Sequence, residues 1–269
     1  MKKIKLVLSG SGTLYPLHVG AVNCLHRAGY EIEAITGVSG GSIVAAALAS
    51  GYQPGKELTD LVLDNLPGPN KLIDYTLCPL WHWGLIKGDR LHAKFSELMP
   101  TSLEETTIPL RVVAVNIDEK GNYDDPIYTV FGTEETPEIS VADAVRASIS
   151  IPGIFRPVNI GGHRYVDGGV AASFPLDIYG EGKDVIGLHV RGNRNYANPN
   201  GIIDYVRAII QIMLESVNRE YVEDATWART IVLRSPTTAL NLYMARDEAE
   251  HLIEIGYRQA EDQLRAIET

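Results

Sequence analysis

Residues Glu31–Ser50 read EIEAITGVSGGSIVAAALAS, and the way this stretch is divided decides the fold. Glu31–Ile35 alternates polar and apolar residues, the period of a short strand. Ser42–Ser50 is rich in alanine, the strongest helix former. Between them Gly37-Val38-Ser39-Gly40-Gly41 fits G-x-S-x-G. Strand, tight turn and helix is the setting in which that pattern presents a nucleophilic serine. A serine at so sharp a turn sits in a strained backbone conformation. The glycines Gly37, Gly40 and Gly41 remove side chains that would strike the strand or the helix. The helix start then turns free N–H groups and partial positive charge toward Ser39.

Working outward, Ile4–Leu8 predicts a buried first strand. It leads through Ser9-Gly10-Ser11-Gly12-Thr13 into a helix over Leu17–Arg27 that stops at Gly29. A glycine-rich loop between strand and helix offers backbone N–H groups to an anion. The loop lacks the third glycine of a dinucleotide fingerprint, because Tyr15 stands there, and it lacks the Gly-Lys-Ser/Thr of a P-loop. Beside a serine elbow, the backbone of Gly10, Ser11, Gly12 and Thr13 becomes a candidate oxyanion hole.

Further along, the pattern predicts helices over Pro54–Asn65, Asp89–Leu98 and Val141–Ala147, a helix over Gly201–Val222, and an acidic amphipathic helix over Arg246–Ile267. Strands are expected over Leu110–Ile117, Ile127–Phe131, Asp184–Val190 and Thr230–Leu233. Strands alternating with helices predict an α/β protein with a mainly parallel sheet covered on both faces. No repeat or low-complexity linker divides the chain, so residues 1–269 are expected to form one domain. The loop Cys78–Ile86 concentrates Trp81, Trp83 and aliphatic residues. It could serve as a lid, an acyl-chain wall or a membrane anchor, or simply cap the core.

Composition excludes several classes. The formal net charge is -10 and no basic cluster exists, which argues against nucleic-acid binding. Two unclustered cysteines, Cys24 and Cys78, suggest neither a disulfide framework nor a zinc site and fit a reducing compartment. Met1–Leu8 breaks at Ser9-Gly10, too early for a signal-peptide core, and Gly201–Val217 carries Asp204, Arg207 and Gln211. A soluble cytoplasmic protein is expected.

Ser39 needs a neighbour to accept its proton. Of seven histidines, His189, at the end of a strand after Asp167, satisfies the Ser…Asp…His order of an α/β-hydrolase. Only two strands precede Ser39, however, whereas that fold places its elbow deeper. Asp167 is the stronger candidate base. It ends an aromatic strand, Arg164-Tyr165-Val166, and is followed by Gly168 and Gly169, which let backbones approach closely.

Together these segments resemble the patatin-like phospholipase family. Gly37-Val38-Ser39-Gly40-Gly41 is similar to its nucleophile motif, and Asp167-Gly168-Gly169 to its D-G-[GA] base motif. Ala147-Ser148 through Pro152 and Phe155 is similar to its A-S-x-x-x-P-x-x-F block. The resemblance implies a three-layer α/β/α fold with a central, mostly parallel sheet. It implies a Ser39–Asp167 dyad that needs neither metal nor other cofactor. It also implies hydrolysis of fatty-acyl esters of phospholipids or lysophospholipids through an acyl-enzyme. Lipid substrate and a peripheral membrane contact are the partners so implied. One departure stands out: the family loop G-G-G-x-[RK]-G is here Gly10-Ser11-Gly12-Thr13-Leu14-Tyr15, with no cation. That predicts weaker anchoring of phosphate. It also leaves open a catalytically weak lipid-binding protein, or a soluble carboxylesterase using the same two residues.

Overall fold

The computed structural model describes residues 1–65, 72–76, 83–119, 127–180, 182–193, 201, 208–209, 212 and 229–268. Trp81, Cys78 and nearly all of the expected Gly201–Val222 helix lie outside the described residues.

Ten strands and six α-helices are described. β1 (Lys2–Leu8), α1 (Pro16–Arg27), β2 (Tyr30–Val38), α2 (Gly40–Ala49) and α3 (Lys56–Asp64) come first. β3 (Gly84–Ile86), α4 (Asp89–Leu98), β4 (Leu110–Asn116), β5 (Thr129–Gly132) and α5 (Val141–Ser148) follow. β6 (Gly153–Phe155), β7 (Val158–Ile160), β8 (His163–Asp167), β9 (Val185–Arg191), β10 (Arg229–Arg234) and α6 (Arg246–Glu268) complete the order. The main sheet runs β10-β9-β1-β2-β4-β8-β7, with β5 also on β4. The five strands from β10 to β4 pair in parallel, while β8, β7 and β5 join antiparallel. Parallel strands need cover on both faces, which is why their sequences are nearly continuous apolar runs. In β1, Ile4, Leu6 and Leu8 enter the large core with residues of α1, α2 and α6. Val7 points the other way, onto Phe174 and Leu176. Short 3-10 helices at Gly168–Val170 and Leu176–Tyr179 cover that second face. The expected mostly parallel sheet with helices on both sides is therefore present.

The pairing of β4 positions the site. β5 takes Arg111 to Ala114 on one edge. β2 therefore occupies the opposite edge, ending with Val38 against Val113. β8 continues along that same edge, with Asp167 against Ala114. The last residue of β2 and the last residue of β8 thus sit on consecutive rungs of one strand. Ser39, the next residue after Val38, is delivered beside Asp167.

Candidate active site

Ser39 links β2 to α2 with φ 49° and ψ −128°, a region that non-glycine residues rarely enter. Such a conformation persists only where surrounding bonds enforce it. Here the Ser39 amide donates to Ser148 Oγ at 2.9 Å. Its carbonyl accepts from the Ser42 amide at 2.9 Å and from Ser42 Oγ at 2.6 Å. Ser148 Oγ in turn donates to the Val113 carbonyl at 2.6 Å, tying the elbow to the central strand. The three glycines of the elbow admit no side chain. A Cβ on Gly40 would lie 2.2 Å from the Gly12 carbonyl oxygen, and one on Gly41 2.5 Å from that of Ser9. Gly37 abuts the start of α2 in the same way.

Asp167 Oδ2 accepts from Ser39 Oγ at 2.6 Å. Its other oxygen accepts from the Gly169 amide at 2.7 Å, which fixes the carboxylate plane. Its own amide donates to the Ser150 carbonyl at 3.0 Å. Gly168 is pressed on the Val113 carbonyl, 2.3 Å from where a Cβ would be. Asp167 is wholly buried, and desolvation lifts its pKa from 3.8 to about 7, against the lowering effect of the bonds from Ser39 and Gly169. A carboxylate poised near neutrality suits proton transfer at neutral pH.

The segment Arg146–Ser150 holds both residues at once. Ser148 binds the Ser39 amide, and the Ser150 carbonyl binds the Asp167 amide. Ser150 Oγ accepts from the buried Arg146 guanidinium at 2.6 Å, and Arg146 also donates to the carbonyls of Lys87 and Gly88. The block stands out in the sequence as a motif, but sequence reasoning missed these roles. The available signal was two serines spaced two apart in an otherwise apolar run.

His189 is buried against the Phe174 ring, and burial holds its pKa down to about 3. His18 Nε2 lies 3.0 Å from the Ser9 carbonyl, with its pKa lowered by burial to about 4. Both are neutral packing residues, and neither is hydrogen-bonded to Ser39.

The four expected oxyanion donors separate into two pairs. The Gly10 amide is committed to the Ser173 carbonyl at 2.8 Å, and the Thr13 amide to the Ala239 carbonyl at 2.8 Å. These bonds hold the loop at its two ends. The amides of Ser11 and Gly12 donate to no acceptor among the described residues. Gly40, the first residue of α2, adds an orphan N–H beside them. Gly10 itself packs on Ser39, since a Cβ placed there would lie 3.6 Å from Ser39 Cβ. Leu14, at the position of the family's cation, is fully buried in the core.

Ser39, Gly12 and Gly40 open into an apolar cavity. Its walls come from α2 (Ile43, Ala47), α3 (Leu61, Val62), α4 (Leu91, Phe95, Leu98), the segment Ile149–Phe155, and Leu240 with Leu242. Trp83 does not line it. It is 52% exposed, with the Arg164 guanidinium 4.4 Å from its ring centre, so it neither caps the core nor forms an acyl wall. Among the described residues no helix is long and apolar enough to cross a membrane.

A family model described as patatin-like phospholipase matches residues 6–179. The uncharacterized protein YqhO of Bacillus subtilis (strain 168) is 27% identical over 286 residues, covering 95% of this chain and 96% of that protein. A protein of Invertebrate iridescent virus 6 named "Probable lipid hydrolase 463L" is 30% identical over 185 residues, covering 64% of this chain and 62% of its own length. The crystal structure of VipD from Legionella pneumophila superimposes with a TM-score of 0.56 at 15% identity, covering 99% of this chain and 67% of VipD. The matched span includes the elbow, the Ser148–Phe155 block and Asp167-Gly168-Gly169, and the chain belongs to the patatin-like phospholipase family.

Proposed function

We propose that this protein is a serine acyl hydrolase that cleaves fatty-acyl esters of phospholipids or lysophospholipids, with Ser39 as nucleophile and Asp167 as general base. The observation that carries the reading is the 2.6 Å bond from Ser39 Oγ to a buried carboxylate whose pKa stands at about 7. The name of the viral relative supports lipid as the substrate.

In the proposed reaction Ser39 Oγ attacks the ester carbonyl while its proton passes to Asp167 Oδ2. The developing oxyanion is held by the amides of Ser11 and Gly12, with Gly40 beside them. The intermediate collapses, and the leaving alkoxide takes the proton from Asp167. Water then attacks the acyl-Ser39 ester, giving its proton to Asp167. The fatty acid departs and Ser39 recovers its hydrogen. The apolar cavity takes the acyl chain. The same reading treats residues 1–269 as one hydrolase unit, supported by a core cluster running from Ile4 to Leu264. Nothing in the reaction requires a cofactor.

Fluorophosphonate labelling followed by a panel of acyl esters tests the reading. Covalent modification at Ser39 and release of fatty acid from phospholipid or lysophospholipid are expected. A folded protein that is not labelled at Ser39 defeats it. Labelling with turnover of short soluble esters only would make the protein a carboxylesterase instead.

A further inference from the structure

A second cleft opens on another side of α4, and it shares no lining residue with the apolar cavity at Ser39. Neighbouring residues divide between the two spaces: Leu91 and Phe155 line the cavity, His92 and Arg156 the cleft. Four cations line the cleft, Lys87, Arg146, Arg156 and Arg164. They stand far enough apart in the chain that no basic cluster is legible in the sequence. The fold assembles them. Arg146 Nη2 donates to the carbonyls of both Lys87, at 2.6 Å, and Arg156, at 3.3 Å, which brings three of the four to one place.

Two carboxylates also line the cleft, Asp89 and Asp143. Asp89 pairs with Arg156, and Asp143 with His92 at 2.7 Å. Arg164 is matched by Asp118 and lies over the Trp83 ring. The other two cations touch no carboxylate. The Lys87 ammonium has no partner among the described residues. Arg146 is 3% exposed and donates only to neutral acceptors, adding the Gly88 carbonyl at 3.1 Å and Ser150 Oγ at 2.6 Å to the two carbonyls above. One of its five N–H groups, on Nη1, is left without a partner among the described residues. Gly88 lies flat against this guanidinium, since a Cβ there would lie 2.2 Å from Arg146 Nε. Burial and the nearby Arg156 lower the pKa of Arg146 to about 10, against the raising effect of Asp89 and Asp74. A buried cation without a counter-charge costs stability, so its place at the edge of a cleft calls for a ligand that supplies one.

The chemistry of that ligand follows from the balance of charges and donors. Two cations are unmatched, so a dianion neutralises the cleft. Unused donors also outnumber acceptors. Arg156 bonds Asp89 through Nη2 alone, and Asn159 uses only its Oδ1, toward the Gly162 amide. A phosphate monoester carries close to two negative charges and three strong acceptor oxygens, and guanidinium groups match its geometry. We propose that this cleft binds the phosphate group of a phosphomonoester, held by Lys87, Arg146 and Arg156.

This site goes beyond the hydrolase reading and is tested without turnover. sn-Glycerol 3-phosphate is titrated into the protein by calorimetry at neutral pH and low salt, and saturable binding is expected. Lys87→Gln and Arg156→Gln should each weaken it about tenfold, the scale of one hydrogen bond to a charged group. Lys87→Gln removes no polar contact of the free protein, so its effect reads the ligand alone. Dimethyl phosphate, a monoanion, should also bind about tenfold more weakly. Ser39→Ala should bind as tightly as wild type. Co-sedimentation with phosphatidic acid vesicles forms a second arm, because a lipid head group carries the same phosphate. Binding of the soluble ester alone identifies a soluble ligand, and vesicle binding lost in both variants identifies a head group; either supports the site. Binding in neither arm overturns the proposal. So does binding that both variants leave unchanged, binding that Ser39→Ala abolishes, or equal affinity for dimethyl phosphate.

Discussion

At the scale of the residue, the proposed chemistry rests on one contact: Ser39 Oγ on Asp167 Oδ2 at 2.6 Å. Ser39→Ala and Asp167→Asn should each lower kcat by at least about 10³-fold, and the double variant should be little worse than either single one, because the pair acts as a unit. Steady-state rates on a monomeric ester check this, and additive losses would contradict it. Asp167 accepts a proton only when ionised, so kcat/KM should rise with pH to a plateau above about pH 7. A pH–rate profile with no inflection near neutrality would contradict the assigned base. The same burial has a thermodynamic sign. The folded pKa lies above the unfolded value of 3.8, so the folded state binds the proton more tightly. Stability from this group is complete below about pH 4 and declines as pH rises toward 7, by on the order of 4 kcal/mol. Asp167→Asn removes that penalty. It should therefore unfold at higher denaturant concentration than wild type at pH 8, with little difference at pH 4.

Elements then bring these residues together. Gly40 begins α2 directly beneath the oxyanion loop, and a methyl group there would lie 2.2 Å from the Gly12 carbonyl oxygen. Gly40→Ala should displace that loop and cost about 10²–10³-fold in kcat, the scale of one lost oxyanion donor. Rates measured beside a far-UV CD spectrum separate this from unfolding. The glycines around Ser39 and the Asp-Gly-Gly turn were legible in the sequence because the constraint on them is local: tight turns and close backbone approach demand glycine wherever they occur. The extent of β2 was not. Gly37 reads as a strand breaker, yet parallel pairing of Leu8 with Gly37 and of Val38 with Val113 carries the strand up to Ser39. β3 was hidden inside an aromatic loop, since three residues have no readable period and its partner, β6, lies far along the chain. The role of Ser148 was equally hidden, because its two partners come from β4 and from the elbow.

Across the whole molecule, charge and long-range contacts matter most. A net charge of -10 repels an anionic surface, and no arginine or lysine stands in the loop beside Ser39 to offset it. Turnover of anionic phospholipid vesicles should increase with salt, as the screening length falls from about 30 Å at about 0.01 M to about 8 Å at about 0.15 M. Turnover of neutral esters should hardly respond. A vesicle assay with both lipids across that range checks this, and an opposite trend would point to a basic docking surface. Overall architecture was readable from the alternation of strands and helices, because that pattern reflects burial on both faces of the sheet. Contacts spanning hundreds of residues were not, and the bond from the Thr13 amide to the Ala239 carbonyl is the clearest case. It has a consequence for biosynthesis. A ribosome-bound chain possesses Ser39 and Asp167, the proposed nucleophile and base, well before residue 239 has been added. Until then the loop Gly10–Thr13 lacks one of its two anchors, so under the proposed reaction a nascent chain is expected to be inactive toward acyl esters.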